Sequence, residues 1–294
     1  MIKIKLAANW DTSENVTERL LRQFKTPDID LTEVHFVYDD SYDSIVFFNH
    51  VSSNIKPGAR SYVFPHEPNW SGSHQKVFKG DTTVFGFNKQ QYTGNCIETA
   101  AHTFYGGRGP WSDSLDVWSY DNLINRSFPK SKNISSVITS LHAPHGPTCL
   151  YPQRSNILNR LSNLTFIDLF GSGKRTPNAM TSPKKIDAVS DYRFNISVEN
   201  DCTYNWITEK FYDAILTDTV PIYYGCTNIK DLYPEDGYIL IEDINDIDSI
   251  ENTLYNINQN ANDMYTQKLN GLRSIKAKFL AEYNLLRKII EVVK

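Results

Sequence analysis

Tyr192-Arg193-Phe194-Asn195-Ile196-Ser197-Val198-Glu199-Asn200, a short loop 201–205, Trp206-Ile207-Thr208-Glu209-Lys210-Phe211-Tyr212-Asp213-Ala214-Ile215 and finally Thr219-Val220-Pro221-Ile222-Tyr223-Tyr224-Gly225 form the stretch whose reading decides the fold. An apolar run that ends in the polar pair Glu199-Asn200 reads as a buried strand and its exit. Thr208 has the chemistry of a helix N-cap, and 208–217 carries a helical pattern. A second buried strand then begins at Val220. Strand, helix, strand with near-continuous apolar strands predicts a parallel sheet covered on both faces.

The same rhythm extends outward. Strand-like runs at 136–141, 164–170, 194–198, 220–224 and 238–241 alternate with helical segments at 154–161, 184–190, 208–217 and 247–257. An earlier series of apolar runs occupies 2–8, 34–38, 44–49, 62–64 and 83–87, and a polar, irregular stretch from 88 to 133 separates the two series. That stretch contains Tyr105-Gly106-Gly107-Arg108-Gly109-Pro110 and, as a long loop, is expected to shape a binding surface. The prediction is α/β, two Rossmann-like domains facing a cleft, 1–133 and 134–294, with the site at the carboxyl ends of the strands.

Composition narrows the function classes. The chain has 294 residues, 40% hydrophobic and 22% charged, with a formal net charge of −4. That is a globular profile with no strongly basic face, so no nucleic-acid partner is expected. No apolar run approaches the roughly 20 residues of a spanning helix, and the first residues have no signal-peptide character. Cys96, Cys149, Cys202 and Cys226 are widely spaced and read as reduced thiols, so a cytoplasmic location is expected.

From 266 to 294 the residues Leu272, Ile275, Phe279, Tyr283, Leu286, Ile290 and Val293 recur at spacings of three and four, which predicts one amphipathic helix. It carries seven Lys/Arg against two Glu. Such a helix either docks on the core with its basic face solvated or makes a peripheral contact with anionic membrane.

A helix N-terminus facing a strand exit favours an anion through free N–H groups and the helix dipole. Lys210 adds a point charge there. Glu199 and Glu209 suit the hydroxyls of a ribose or a guanine edge better than a bare phosphate, and Tyr204 or Trp206 has the ring to cover a base or sugar. For any one of these residues an ordinary capped helix is explanation enough; it is the set that points to a nucleotide.

The set resembles the α-1,3-fucosyltransferases of glycosyltransferase family 10, whose motif runs approximately Phe-x-Phe-Glu-Asn, a loop, Tyr-x-Thr-Glu-Lys and then Val-Pro-x-Tyr-x-Gly. Ala8-Asn9-Trp10 is similar to the exit of that family's first strand, and Tyr62-Val63-Phe64-Pro65-His66-Glu67-Pro68 to a first-domain strand ending in a glutamate. Two positions depart from the pattern: Val198 replaces a Phe, and Trp206 replaces a Tyr. The resemblance implies a GT-B glycosyltransferase that transfers L-fucose from GDP-fucose to an oligosaccharide or glycoconjugate with inversion, with an α-1,3 bond to GlcNAc or Glc as the expected linkage. It also implies roles for residues. Glu67 is the general base, Arg175 and Lys210 hold the diphosphate, Asn200, Trp206 and Glu209 contact ribose, pyrophosphate or fucose, and Glu199 braces the site. The alternatives are another GDP-hexose as donor, or a catalytically silent glycan-binding protein on the same scaffold.

No cofactor and no essential metal are expected. Asp28-Ile29-Asp30 and Asp246-Ile247-Asp248 have the letters of a metal-binding Asp-x-Asp, but three-letter patterns arise by chance in a chain with 34 acidic residues. Gly171-Ser172-Gly173-Lys174-Arg175 lacks phosphate-loop spacing, although a glycine-rich turn beside Arg175 suits a diphosphate. His66, His142 and His145 lack ligand spacing and read as loop residues.

Overall fold

The computed structural model describes residues 1–51, 54–71, 81–92, 94–106, 116–138, 146–171 and 184–294. Two parallel sheets are present. The first is built from β1 (Ile2–Ala8), β2 (Val34–Phe36), β3 (Ser44–Phe48), β4 (Arg60–Phe64), β5 (Thr83–Gly86) and β6 (Asn95–Glu98), in the order β2-β1-β3-β4-β5-β6. The second contains β7 (Lys132–Val137), β8 (Ile167–Phe170), β9 (Tyr192–Val198), β10 (Val220–Tyr224) and β11 (Ile239–Leu240), in the order β11-β10-β9-β7-β8. Both sheets pair in parallel throughout, as buried Val, Ile and Phe runs covered on both faces require.

Helices connect the strands: α1 (Ser13–Phe24), α2 (Tyr120–Asn125), α3 (Tyr151–Leu161), α4 (Glu209–Leu216), α5 (Ile229–Leu232), α6 (Ile247–Gln259), α7 (Ala261–Glu282) and α8 (Leu285–Val293). Short polar side chains set several of their starts. Thr12 Oγ1 accepts the Asn15 N–H at 3.2 Å at the head of α1, and Asp246 accepts the Ser249 N–H at 3.0 Å at the head of α6. In the first sheet β3 and β4, fully or nearly fully buried, run through the middle, and in the second β9 does.

Three expectations are corrected. The helical pattern at 184–190 is a run of turns, closed by Ala188 and Val189 N–H groups bonding three residues back to Lys185 and Ile186. The stretch 88–133 is not uniformly polar loop: it contains β6 and α2, and it buries Phe104, Tyr105, Trp118, Leu123 and Phe128. The terminal segment is two helices instead of one, because Asn284 caps α8 through its Oδ1 (Arg287 N–H, 3.0 Å) while its Nδ2 donates to the Phe24 carbonyl at the end of α1 (2.8 Å).

That break sends α8 back across the molecule onto the first sheet. Tyr62 Oη donates to the Val292 carbonyl at 2.8 Å, Arg60 donates to the Val293 carbonyl, and Arg287 pairs with Asp28 at 2.6 Å. Leu285, Leu286, Ile289 and Val293 are fully buried, as are Leu272 and Ile275 of α7. The apolar stripe that a membrane contact would need is therefore packed against protein, each large aliphatic side chain contributing about 1.5–3 kcal/mol on burial. No described helix is long and apolar enough to cross a membrane.

Candidate active site

A cleft of about 270 Å³ lies where the exits of β4 and β9 meet. The first half contributes His66 and Glu67, directly after β4, together with Thr103, Phe104 and Gly106. The second contributes Lys185, Asn200, Trp206, Thr208, Glu209 and Lys210. A cavity of about 180 Å³ continues beneath, lined in part by Arg154, Lys185, Glu209, Lys210 and Asp213.

Glu199 organises the donor side. It is fully buried, and its carboxylate accepts the Thr208 backbone N–H at 2.8 Å and the Thr208 hydroxyl at 2.7 Å. The N–H that Glu199 accepts is that of the N-cap residue, and Thr208 Oγ1 in turn accepts the Lys210 N–H at 3.4 Å in the first turn of α4. Gly225 permits the arrangement: a Cβ there would come within 2.4 Å of Glu199 Cγ. Burial pushes the Glu199 carboxyl above its ordinary value, against the pull of Lys210. Burial also works against ionisation of Glu209, but Lys210 and Lys185 outweigh it and hold that carboxyl well below its ordinary value. Lys210 Nζ, 3.0 Å from Glu209 and 3.6 Å from Glu199, is disfavoured as a cation by burial yet stays protonated because two carboxylates flank it.

Cations therefore carry any diphosphate, and two of them were not legible in the sequence. Lys185 forms an ion pair with Asp213 of α4, whose other carboxylate oxygen accepts the Gly106 N–H from the first half at 2.8 Å. Arg154, in the first turn of α3, is 5% exposed, and its Nε has no hydrogen-bond partner among the described residues. Burial draws its pKa down and the neighbouring Tyr151, Glu199 and Glu209 draw it up, leaving it somewhat below its ordinary value. A guanidinium remains charged in proteins, so an unpaired Arg154 N–H at the wall of a cavity is a donor awaiting an acceptor. Arginine one turn into the helix after a central strand was the available signal. Arg175, and the glycine-rich turn around it from Ser172 onward, lie outside the described residues, as do His142 and His145.

The remaining predicted residues divide. Asn200 lies at the cleft, its Oδ1 accepting the Trp206 indole N–H at 3.1 Å. Trp206 borders the cleft but is 1% exposed, with its ring edge-to-face against Phe87 of the first half at 4.8 Å. It fastens the two halves and offers no open face to a base. Tyr204 is 43% exposed and is not part of the cleft wall. His66 is no simple loop residue: its ring is buried between Trp10 and Phe48, with centroids at 5.8 and 4.9 Å. The Asp-x-Asp residues are engaged elsewhere, Asp28 with Arg287 and Thr26, Asp30 with Thr32, Asp246 as the α6 cap and Asp248 with Arg160. Among the described residues no group of three His, Cys, Asp or Glu converges as a metal site.

The family model described as glycosyltransferase family 10 (fucosyltransferase) C-term matches residues 129–282, the half of the chain that holds this donor side. The chain belongs to glycosyltransferase family 10. Among curated family-10-like relatives, an α-(1,3)-fucosyltransferase of Helicobacter pylori is 30% identical over 98 residues, 33% of this chain and 20% of that protein. The 4-galactosyl-N-acetylglucosaminide 3-α-L-fucosyltransferase 9 of Bos taurus is 27% identical over 143 residues, 48% of this chain and 37% of that protein. The matched segments thus span well under half of these relatives. In three dimensions the family-10 chain resembles an α1,3-fucosyltransferase solved with GDP-fucose, with a TM-score of 0.51 and 18% identity over 96% of this chain and 90% of that one. It also resembles a phage DNA-modifying β-glucosyltransferase, with a TM-score of 0.56 and 12% identity over the whole of both chains. At such identities the likeness establishes the fold, two α/β halves of GT-B type.

Proposed function

We propose that this family-10 chain is an inverting fucosyltransferase that takes GDP-fucose as donor and a glycan hydroxyl as acceptor, making an α-1,3 bond to GlcNAc or Glc. The observation that carries the reading is the cleft itself, where Glu67 of the first half faces a wall of Lys185, Glu209 and Lys210 on the second. A base and a cationic leaving-group site on opposite sides of one cleft are what displacement at a sugar carbon needs.

Donor diphosphate is assigned to Lys210, Lys185 and Arg154, with Arg175 expected from the family motif to join them. Asn200 and Glu209 then face ribose, pyrophosphate or sugar, while Glu199 acts one step back by fixing Thr208 and Lys210. In the reaction the Glu67 carboxylate removes the acceptor O–H proton as the oxygen bonds to the anomeric carbon. The bond from that carbon to the β-phosphate oxygen breaks at the same time, and GDP carries the electron pair away. Charge grows on the diphosphate, and the preplaced cations stabilise it as it develops. General-base assistance of this kind contributes about 10²–10⁴-fold. No metal is invoked, because side-chain cations occupy the leaving-group position.

One observation keeps a second donor in view. Trp206 replaces the family Tyr, and its only polar group is bonded to Asn200, so no hydroxyl from this position reaches the sugar. Another GDP-hexose is the alternative reading. A panel of GDP-sugars with product mass analysis separates the two: transfer from GDP-fucose supports the proposal, and transfer from GDP-mannose without transfer from GDP-fucose removes it.

A further inference from the structure

Three consecutive side chains at the exit of β9 hold three different parts of the molecule. Glu199 holds the head of α4, Asn200 holds the Trp206 indole, and Asp201, fully buried, accepts the indole N–H of Trp70 at 3.0 Å. Trp70 belongs to the first half and lies three residues beyond Glu67. Its ring stands edge-to-face on Tyr151 at 5.5 Å, and its Cβ sits so close to Gly146 that a Cβ on that glycine would approach it to 3.1 Å. The segment between is short and constrained at both ends. The His66 N–H donates to Asn49 Oδ1 at 2.6 Å, and the Ser71 N–H donates to the Pro68 carbonyl at 2.9 Å, closing a turn that starts one residue after Glu67.

Glu67 is therefore carried on a strap tied to the first sheet at His66 and to the second half at Trp70. We propose that the Trp70–Asp201 contact sets where Glu67 stands relative to the donor, making Trp70 a positioning residue for the transfer reaction. The inference rests on the reading of Glu67 as the base. Its physical logic is that base and donor are held by different halves, so their separation is fixed only as well as the halves are tied near the base. Further ties join the halves elsewhere: Trp206 to Phe87, Ala101 N–H to the Asn205 carbonyl at 3.0 Å and Gly106 N–H to Asp213 lie on segments that do not carry Glu67, and the contacts of Arg60 and Tyr62 with α8 hold β4 upstream of Glu67, whereas Trp70 holds the chain beyond it. A half-buried indole N–H bonded to the buried Asp201 carboxylate is a charge-assisted hydrogen bond, stronger than a neutral one and directional. Misplacing a reacting group by about 1 Å costs on the order of 10²-fold in rate.

The test compares Trp70→Phe, which keeps the ring and removes the N–H, with Asp201→Asn, whose amide oxygen still accepts it. Hydrogen exchange of the peptide spanning 65–71, GDP affinity by calorimetry and turnover from GDP-fucose are read on each full-length protein. In Trp70→Phe the strap peptide is expected to exchange about tenfold faster and kcat to fall roughly 10–100-fold, with GDP affinity within about twofold of wild type. Asp201→Asn should restore wild-type exchange and most of the turnover, and it decides the matter if Trp70→Phe does not melt cooperatively. Unchanged exchange in Trp70→Phe overturns the proposal, as does a loss of GDP affinity matching the loss of kcat, or an Asp201→Asn strap that exchanges fast. If wild type transfers no fucose, the base reading falls, and the exchange measurement still decides whether Trp70 ties the strap.

Discussion

Glu199 accepts both the backbone N–H and the hydroxyl of Thr208, so a single buried carboxylate holds the N-cap of α4 in place beside Glu209 and Lys210. Thr208→Val keeps the shape and removes the hydroxyl, leaving one Glu199 oxygen short of a donor in a buried site. A loss of about 1–3 kcal/mol is expected in chemical denaturation, and Thr208→Ser should recover most of it. A Thr208→Val protein as stable as wild type would show that the hydroxyl does not matter to the cap.

Arg154→Ala and Lys210→Ala should each weaken GDP binding by roughly 1.5–3 kcal/mol, about ten- to a hundredfold, when measured by calorimetry. Arg154 is the cleaner probe. Among the described residues its Nε has no hydrogen-bond partner to orphan, whereas removing Lys210 breaks the contacts of its Nζ with both Glu199 and Glu209. Lys210→Ala should accordingly lower the melting temperature as well. GDP affinity unchanged in both variants would remove the diphosphate assignment.

Glu67→Gln keeps size and loses proton acceptance. Transfer should fall about 10²–10⁴-fold while GDP-fucose affinity and cooperative melting are retained, since the base acts on the acceptor. Near wild-type turnover at saturating acceptor would transfer the role to another group.

His102, 5% exposed against Phe64 and bonded to Thr99 Oγ1 at 3.1 Å, has its pKa drawn down by burial to about 4. The unfolded chain takes up the proton near pH 6.5, before the folded one does, so this contribution to stability is complete above that pH and is lost as pH falls toward 4. At about 1.4 kcal/mol per pKa unit the loss is roughly 3 kcal/mol. Denaturation curves of wild type and His102→Gln across this window test it: the variant should show the shallower pH dependence.

The central strands were legible because buried parallel strands are apolar almost without interruption, and the runs at 194–198 and 220–224 fall within β9 and on β10; β6, an edge strand with an exposed face, lay in the stretch read as irregular, and β7 at Lys132–Val137 begins four residues before the run at 136–141. The cap at Thr208 and the grouping of Glu209 and Lys210 at the head of a helix followed from residue type and order, whereas Glu67 and the role of Asn200 came from the resemblance to family 10, and the cleft brings all four together. What escaped depends on tertiary placement. Lys185 lies in a segment whose helical spacing is overridden by turns, and it matters because it reaches Asp213. The apolar spacing of 266–294 runs on through Asn284, so periodicity could not reveal that this residue ends one helix, starts another and bonds to Phe24. Trp206 has the chemistry of a ring platform, yet its environment is the core of the other half.

The most direct measurement is the product of an incubation with GDP-β-L-fucose and a panel of GlcNAc- and Glc-containing glycans, read by mass spectrometry and by the anomeric proton coupling. One GDP released per fucose transferred, with an α-linked fucosyl product, is the expected result. A β-linked product would contradict inversion, and transfer confined to a different GDP-hexose would contradict the donor assignment.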